Sequence, residues 1–210
     1  CSLLQESFNF VLENAEIPIE IKSVWKAQFQ KKVKDIISLE EKRRLNGTPL
    51  TLEVFGKYSL QMKNGEGFLV TAKADRIDKL SNGFIIYDYK TGQITKRSLQ
   101  EFSPQLDIEA LMLLGGSFGK IKPSNQLVLS LIGLGQEPKQ YEKSVTKENL
   151  REWRLGLIKI IENMKLELSS FVAYDGTSKH DNGFNEFQHL SRVGEWTNND
   201  EPKKLNLSPC

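Results

Sequence analysis

Charged residues in two neighbouring apolar runs form the pattern most able to do chemistry in this chain. Asp75 and Asp78 belong to the first run, and Asp88 and Lys90 to the second, beyond a Ser-Asn-Gly turn at residues 81–83. Apolar runs around a short turn predict a β-hairpin. Side chains alternate across a strand, so Asp88 and Lys90 leave one face and only one of the other two acids can join them. Charges on an apolar hairpin need a partner or a metal ion. The pattern therefore indicates either a carboxylate–lysine functional site or an Asp–Lys surface pair at a strand end.

A further carboxylate lies on a predicted helix that precedes the hairpin. Apolar residues recur at three- and four-residue steps between residues 23 and 45, namely Trp25, Phe29, Val33, Ile36 and Ile37. At about 100° per residue, Glu40 falls within this apolar stripe and Glu41 at its edge. Two interpretations stay open, because Glu40 can pair with Arg43 or Arg44, or it can reach the hairpin as a third acid.

The remaining elements must position these groups. The pattern predicts a helix at residues 2–14, a strand at 50–62 with an Asn-Gly turn into the hairpin, a buried strand at 126–134 and a long helix capped by Thr146. The hairpin thus belongs to three antiparallel strands in a row.

Gln105 begins another helix, which follows the hairpin. Ser103 suits its N-cap and Pro104 its first turn. In that first turn, the Gln105 amide is either solvated or directed past the edge of the sheet.

Composition limits the class of protein. The chain has 210 residues, 39% of them apolar and 27% charged, with a net charge of +2, which is typical of a globular domain with appendages. No apolar stretch reaches the 18 or so residues of a membrane span, and we recognise no signal peptide. We expect a lead-in helix and turn at 1–22, a core at 23–170 and a loop, short helix and tail at 171–210. His180 and His189 have no ligand-like spacing, and we interpret them as surface residues.

This order of elements and residues resembles the PD-(D/E)xK nuclease superfamily, in which a helix with a Glu precedes three strands carrying Asp and then Asp-x-Lys. The specific match is to the RecB-like branch, whose core reads G-x-x-D-R-I-D followed by D-Y-K-T-G. Residues 72–78 (AKADRID) and 88–92 (DYKTG) carry this likeness. Residues 40–44 look like the helix that supplies the family's first acid. Residues 105–110 and 189–193 look most similar to the C-terminal nuclease domain of AddB, from AddAB helicase–nucleases of alphaproteobacterial type.

The resemblance implies a fold and an activity. The fold would be an α/β, restriction-endonuclease-like core, with a central mixed β-sheet flanked by helices. The activity would be that of a Mg²⁺-dependent, exonuclease-type deoxyribonuclease, with Mn²⁺ as a substitute, inside a helicase–nuclease that processes double-strand-break ends. The implied partners are DNA, as a single strand fed from a helicase, and an AddA-like subunit in the bacterial cytoplasm, with no membrane. The alternative is a catalytically silent nuclease-like fold that binds DNA or scaffolds a complex.

The resemblance also implies how the metal is held. Asp75 and Asp88 would be direct ligands, helped by the backbone carbonyl of Tyr89. Glu40 would be a further ligand, directly or through water. Carboxylate and carbonyl oxygens are the donors that Mg²⁺ prefers.

Other residues would act around the metal. Lys90 would orient or deprotonate the attacking water and offset charge at the scissile phosphate. Gln105 would position the DNA strand or brace the site. Asp78, on the opposite strand face, would pair with Arg76 or a neighbouring helix.

The chain departs from the family pattern at three places. Ala72 replaces the first family Gly, and Glu109 replaces the Tyr usual four residues after the Gln. Some AddB proteins bind an iron–sulfur cluster through four cysteines, whereas this sequence has only Cys1 and Cys210. We therefore expect no iron–sulfur cluster, and a chain that starts with Cys suggests a piece of a longer protein.

Overall fold

The computed structural model describes residues 2–101, 104–119, 121 and 126–165. Contacts divide the chain into two compact units, Cys1–Ile158 and Lys159–Cys210, and the sheet and the candidate site belong to the first. The expected loop, helix and tail at 171–210, with both histidines, lie outside the described residues. Within the described part, no helix is long and apolar enough to cross a membrane.

Five strands and five helices make up the described chain. In order they are α1 (Ser2–Asn14), α2 (Ile19–Asn46), β1 (Gly47–Gln61), β2 (Gly67–Leu80), β3 (Gly83–Lys90), α3 (Lys96–Glu101), α4 (Pro104–Leu114), β4 (Leu127–Gly133), β5 (Lys139–Val145) and α5 (Lys147–Met164).

The strands form one mixed sheet in the order β1-β2-β3-β4-β5. The first three are antiparallel to one another, β3 and β4 are parallel, and β5 runs antiparallel to β4. Parallel neighbours need a crossover connection, and here it contains α3 and α4. The expected mixed sheet flanked by helices is confirmed.

The central hairpin closes through a tight turn. Leu80 pairs with Gly83, so that only Ser81 and Asn82 lie between the strands. A Cβ on Gly83 would lie 2.1 Å from the backbone oxygen of Gln126. Any larger residue would push the hairpin away from the segment that leads into β4.

Side-chain alternation gives the sheet two different faces. On one face, Ile86 joins a core cluster with residues of α4 and β4, including Leu106, Ala110, Leu113 and Leu129. On the other face, Ile85 and Tyr87 pack with Ile132. The predicted alternation along β3 is therefore confirmed, and the two faces carry the two groups of charges described below.

The sequence patterns missed two elements and misjudged part of the helix stripes. α3 and β5 were not predicted. β5 reads KQYEKSV, which is a polar edge strand without a hydrophobic run. Trp25 is 48% exposed, although its spacing predicted a core position. Similarly, Ile160 and Met164 of α5 are exposed, whereas Ile158 is buried. Periodicity finds an apolar stripe but does not show how much of it is covered.

Candidate active site

Asp88 and Lys90 form the centre of the candidate site at the C-terminal end of β3. Lys90 Nζ donates a hydrogen bond to Asp88 Oδ1 at 3.0 Å and lies 2.8 Å from Oδ2. The Lys90 side chain is 48% exposed, whereas Asp88 is only 3% exposed. A buried carboxylate beside an accessible lysine is not the simple surface pair that the spacing also allowed.

Asp75 reaches β3 from the neighbouring strand. Its Oδ2 accepts a hydrogen bond from the backbone N–H of Tyr89 at 2.9 Å. β2 pairs with β3 in regular register, with Ile77 opposite Ile86. Residues two apart share a strand face, so Asp75 lies on the same face as Ile86 and Asp88. Alternation along the strands thus brings the Asp75 carboxylate to the end of β3.

Helix α4 adds two side chains to this group. Gln105 Oε1 accepts a hydrogen bond from Lys90 Nζ at 3.4 Å, and Gln105 Nε2 donates to Glu109 Oε1 at 3.0 Å. Leu106, Ala110 and Leu113 anchor the helix in the core, so its first turns face the end of β3. Gln105 thus makes a specific contact with the lysine, rather than being a free amide.

Glu109 is the residue that the sequence analysis missed as a member of the site. It is 1% exposed, and its Oε2 has no hydrogen-bond partner. Burial first, and then the negative charges of Asp88 and Asp75, raise the pKa of Glu109 to about 7. The departure from the family Tyr was the one sequence signal that marked this position. We call Asp75, Asp88, Lys90, Gln105 and Glu109 the acidic cluster.

A second group of charges lies on the opposite face of the hairpin. Arg76 binds Asp78 through two hydrogen bonds of 2.6 Å, and Asp78 is fully buried. The Arg76 guanidinium also lies 5.2 Å from the centre of the Tyr87 ring. The expected pairing of Asp78 with Arg76 is confirmed.

Glu40 belongs to this second group. Its carboxylate accepts hydrogen bonds from Arg43, Arg44 and Arg76. Partial burial opposes its ionisation, but the bonds from Arg76, Arg44 and Arg43 outweigh that effect and lower the pKa of Glu40 to about 2. The structure therefore shows the arginine pairing that the sequence left open, and not a contact of Glu40 with Asp88 or Lys90. We call Glu40, Arg43, Arg44, Arg76 and Asp78 the arginine cluster.

An open pocket of roughly 550 Å³ lies on the arginine side, between α2 and the face of β3–β5. Its lining includes Leu39, Arg43, Tyr87 and Tyr141 but no member of the acidic cluster. Lys90 and Gln105, at the end of β3, lie outside this pocket and are exposed to solvent.

The residues at the acidic cluster fit a hard divalent cation. Within the described ranges, no three Asp, Glu, His or Cys side chains converge closely enough to bind a metal by themselves. However, Mg²⁺ usually takes only one or two carboxylates and keeps several waters. The Asp88 carboxylate faces the Lys90 ammonium with both oxygens, but Glu109 Oε2 is buried without a hydrogen bond. A buried carboxylate oxygen without a donor is costly, and a hydrated cation would satisfy it.

The sheet, the Asp-x-Lys pair on β3 and the acid on β2 define a nuclease-like α/β core. A family model of the PD-(D/E)XK nuclease superfamily matches residues 2–176. The chain therefore belongs to the PD-(D/E)XK nuclease superfamily.

Similar chains are found in Rickettsia. An uncharacterised protein of Rickettsia conorii is 29% identical over 213 residues, covering 88% of this chain and 25% of the relative. Another, from Rickettsia felis, is 37% identical over 130 residues, covering 60% of this chain and 15% of the relative. The chain thus spans a quarter or less of the length of these relatives.

Among solved structures, a Eubacterium rectale protein provisionally named an exonuclease has a TM-score of 0.41 and 14% identity. The match covers 66% of this chain and 52% of that protein. None of these relatives is named as an AddB protein or a helicase.

Proposed function

We propose that this domain is a divalent-metal-dependent DNA nuclease whose working site is the acidic cluster. The observation that supports this most is the buried Asp88 carboxylate beside the accessible Lys90 ammonium, near the buried Glu109, whose Oε2 receives no hydrogen bond. A purely structural cluster gains nothing from a buried carboxylate oxygen without a donor, whereas a cation site would use it.

In the proposed mechanism, Asp75 and Asp88 hold the cation with the backbone carbonyl of Tyr89. A bound Mg²⁺ ion supplies charge stabilisation at the phosphate and lowers the pKa of bound water. The Tyr89 backbone N–H orients the Asp75 carboxylate by donating to its Oδ2. β3 thus positions both carboxylates, because Asp88 lies on this strand and Asp75 is hydrogen-bonded to its backbone.

Lys90 acts on the substrate side of the site. Its ammonium is held by Asp88 and by the Gln105 carbonyl oxygen, which restricts a flexible side chain near the scissile phosphate. There it offsets the charge that develops on the phosphate oxygens and orients the attacking water. Fixed charges of this kind stabilise a transition state without reorganisation.

The role of Glu40 as a metal ligand stays a prediction, and its contacts do not support it. Three guanidinium groups already satisfy its carboxylate. The proposal therefore places the cation on Asp75 and Asp88, and gives Glu40 the indirect role of holding Arg76 on β2.

We also propose, from the resemblance of residues 72–78 and 88–92, that the domain works as an exonuclease within a bacterial helicase–nuclease of the AddAB type. A cytoplasmic complex with an AddA-like subunit would feed single-stranded DNA to the site during the processing of double-strand breaks. The much greater length of the Rickettsia relatives is compatible with additional domains in the same polypeptide.

An end-labelled DNA assay tests the proposed function. Single- and double-stranded substrates are incubated with the wild-type chain and with Asp88→Asn, in Mg²⁺, Mn²⁺ or EDTA. We expect cleavage only by the wild type and only with metal. Metal-independent cleavage, or equal cleavage by Asp88→Asn, would refute the assignment, and DNA binding without any cleavage would favour the silent, binding-only alternative.

A further inference from the structure

Glu109 is a buried carboxylate of which only half is satisfied. It lies one helical turn after Gln105 on α4, and its Oε1 accepts the hydrogen bond from the Gln105 amide. Its Oε2 is buried and receives no hydrogen bond. Because unpaired buried carboxylate oxygens are costly, this oxygen requires a partner that the described side chains do not supply.

The surroundings of Glu109 indicate what kind of partner is missing. The charged groups that act on it are Asp88, Asp75 and Lys90. Once Glu109 is ionised, three carboxylates share one ammonium in a partly buried region. A divalent cation offsets this excess of carboxylates, whereas a hydrogen-bond donor without charge does not.

The Gln105 side chain connects Glu109 to the catalytic lysine. The amide nitrogen must face a carboxylate and the amide oxygen must face the ammonium, so the two contacts favour the same orientation of the amide. Glu109 Oε1 is therefore bonded to the Gln105 amide, whereas Oε2 has no hydrogen-bond partner among the described residues.

We propose that Glu109 is a further carboxylate of the cation site, whose free Oε2 accepts hydrogen bonds from the water shell of an ion held by Asp75 and Asp88. A water-mediated contact agrees with the lack of a three-acid metal cluster among the described residues. It also agrees with the reluctance of Mg²⁺ to lose its waters. The inference rests on the proposed function, and it assigns a role to the position where the chain departs from the family Tyr.

A conservative substitution separates this role from a packing role. Glu109→Gln keeps the size of the side chain and an oxygen that can accept from Gln105, but it removes the charge. Glu109→Asp keeps the charge but shortens the side chain and disturbs the packing. Asp107→Asn is the matched control, because Asp107 lies on the same helix and is bonded to Lys143 of β5.

The experiment is calorimetric titration of Mn²⁺ into the 210-residue chain, with melting curves in EDTA to verify folding. We expect the Kd for Mn²⁺ to weaken about tenfold or more in Glu109→Gln, less in Glu109→Asp, and not measurably in Asp107→Asn. A wild-type Kd in Glu109→Gln, or weaker binding by Glu109→Asp than by Glu109→Gln, would overturn the inference.

The same titration with Asp88→Asn distinguishes a failure of the role proposed for Glu109 from a failure of the proposed metal site itself. If Asp88→Asn loses Mn²⁺ binding and Glu109→Gln keeps it, the proposed nuclease site stands and only the role of Glu109 fails. If Asp88→Asn binds Mn²⁺ as tightly as the wild type, the proposed metal site itself is wrong.

Discussion

The hairpin of β2 and β3 carries two clusters of charge that differ in how well they are balanced. In the arginine cluster, Glu40 and Asp78 face three guanidinium groups, and every oxygen of the two carboxylates receives a hydrogen bond, although Arg43 Nη1 is buried without one. In the acidic cluster, three carboxylates share one ammonium, and the buried Oε2 of Glu109 receives no hydrogen bond from the described residues. A balanced cluster stabilises the fold, whereas an unbalanced one requires a ligand, and this difference distinguishes the structural charges from the functional ones.

The largest effect is expected at Asp88. Asp88→Asn should lower the cleavage rate by about 10³-fold or more, because it removes the charge of a buried carboxylate that would hold the cation. The free energy of unfolding in EDTA should stay the same or rise, since one unbalanced charge is lost. Cleavage assays and denaturant titration measure the two quantities, and a large loss of stability with retained cleavage would reverse the assignment of this cluster.

The matched change in the arginine cluster should have the opposite outcome. Asp78→Asn removes one partner of a fully buried ion pair, which typically costs about 3–5 kcal/mol. Cleavage per folded molecule should remain near that of the wild type. Denaturant unfolding monitored by circular dichroism tests this, and an unchanged unfolding midpoint would show that the pair with Arg76 is not structural.

Lys90 should affect turnover more than binding of the metal. Lys90→Met should reduce the cleavage rate about 100-fold or more by removing one charge that stabilises the transition state, while the Kd for Mn²⁺ stays equal or tightens. Single-turnover cleavage and calorimetry provide the two values. A collapse of metal affinity would instead make Lys90 a structural counter-ion of Asp88.

Glu40 and Glu41 provide a smaller test of the same comparison. Glu40→Gln should lower the free energy of unfolding by about 1–3 kcal/mol through its weakened bonds to the arginines, with the Kd for Mn²⁺ within about twofold of the wild type. Glu41 is exposed, and Glu41→Gln should change neither quantity. A tenfold weaker Kd in Glu40→Gln with unchanged stability would restore Glu40 to the ligand set that the resemblance implies.

The smallest effects are opposite pH dependences of the two glutamates. The pKa of Glu40 falls from 4.5 to about 2 on folding, so its stabilisation is present above pH 4.5 and is lost as the pH falls toward 2. The pKa of Glu109 rises from 4.5 to about 7, so its ionisation increasingly destabilises the metal-free fold as the pH rises from 4.5 to 7.

Stability differences from Glu40→Gln and Glu109→Gln test this, measured in EDTA near pH 3, 5 and 8. The advantage of the wild type over Glu40→Gln should grow with pH. The wild type should be less stable than Glu109→Gln, by an amount that also grows with pH. Mn²⁺ should reduce this difference in stability. If the two differences in unfolding free energy, each taken as wild type minus variant, changed with pH in the same direction, the two environments would not differ as the structure indicates.

Much of the candidate site could be predicted because it depends on local rules. The turn at Ser81 and Asn82 and the alternation along β3 follow from residue type and strand geometry, and they place Asp88 and Lys90 on one face. Alternation also allowed at most one of Asp75 and Asp78 to join them, and the register of β2 with β3 decided that it is Asp75. The polar strand β5 was missed, because an edge strand needs no hydrophobic run.

The sequence by itself therefore determined the hairpin, the mixed α/β order and the shared face of Asp88 and Lys90, which all depend on neighbours along the chain. Only the tertiary structure decided which distant groups meet. The packing of α2 against the Tyr87 face adds Arg76 of β2 to the two arginines that follow Glu40 on its own helix, and so decides between the partners that its helical position allowed. The parallel pairing of β3 with β4 and the packing of α4 bury Glu109 near Asp88. Such contacts depend on how elements are positioned against one another, and a pattern along one element carries no information about that.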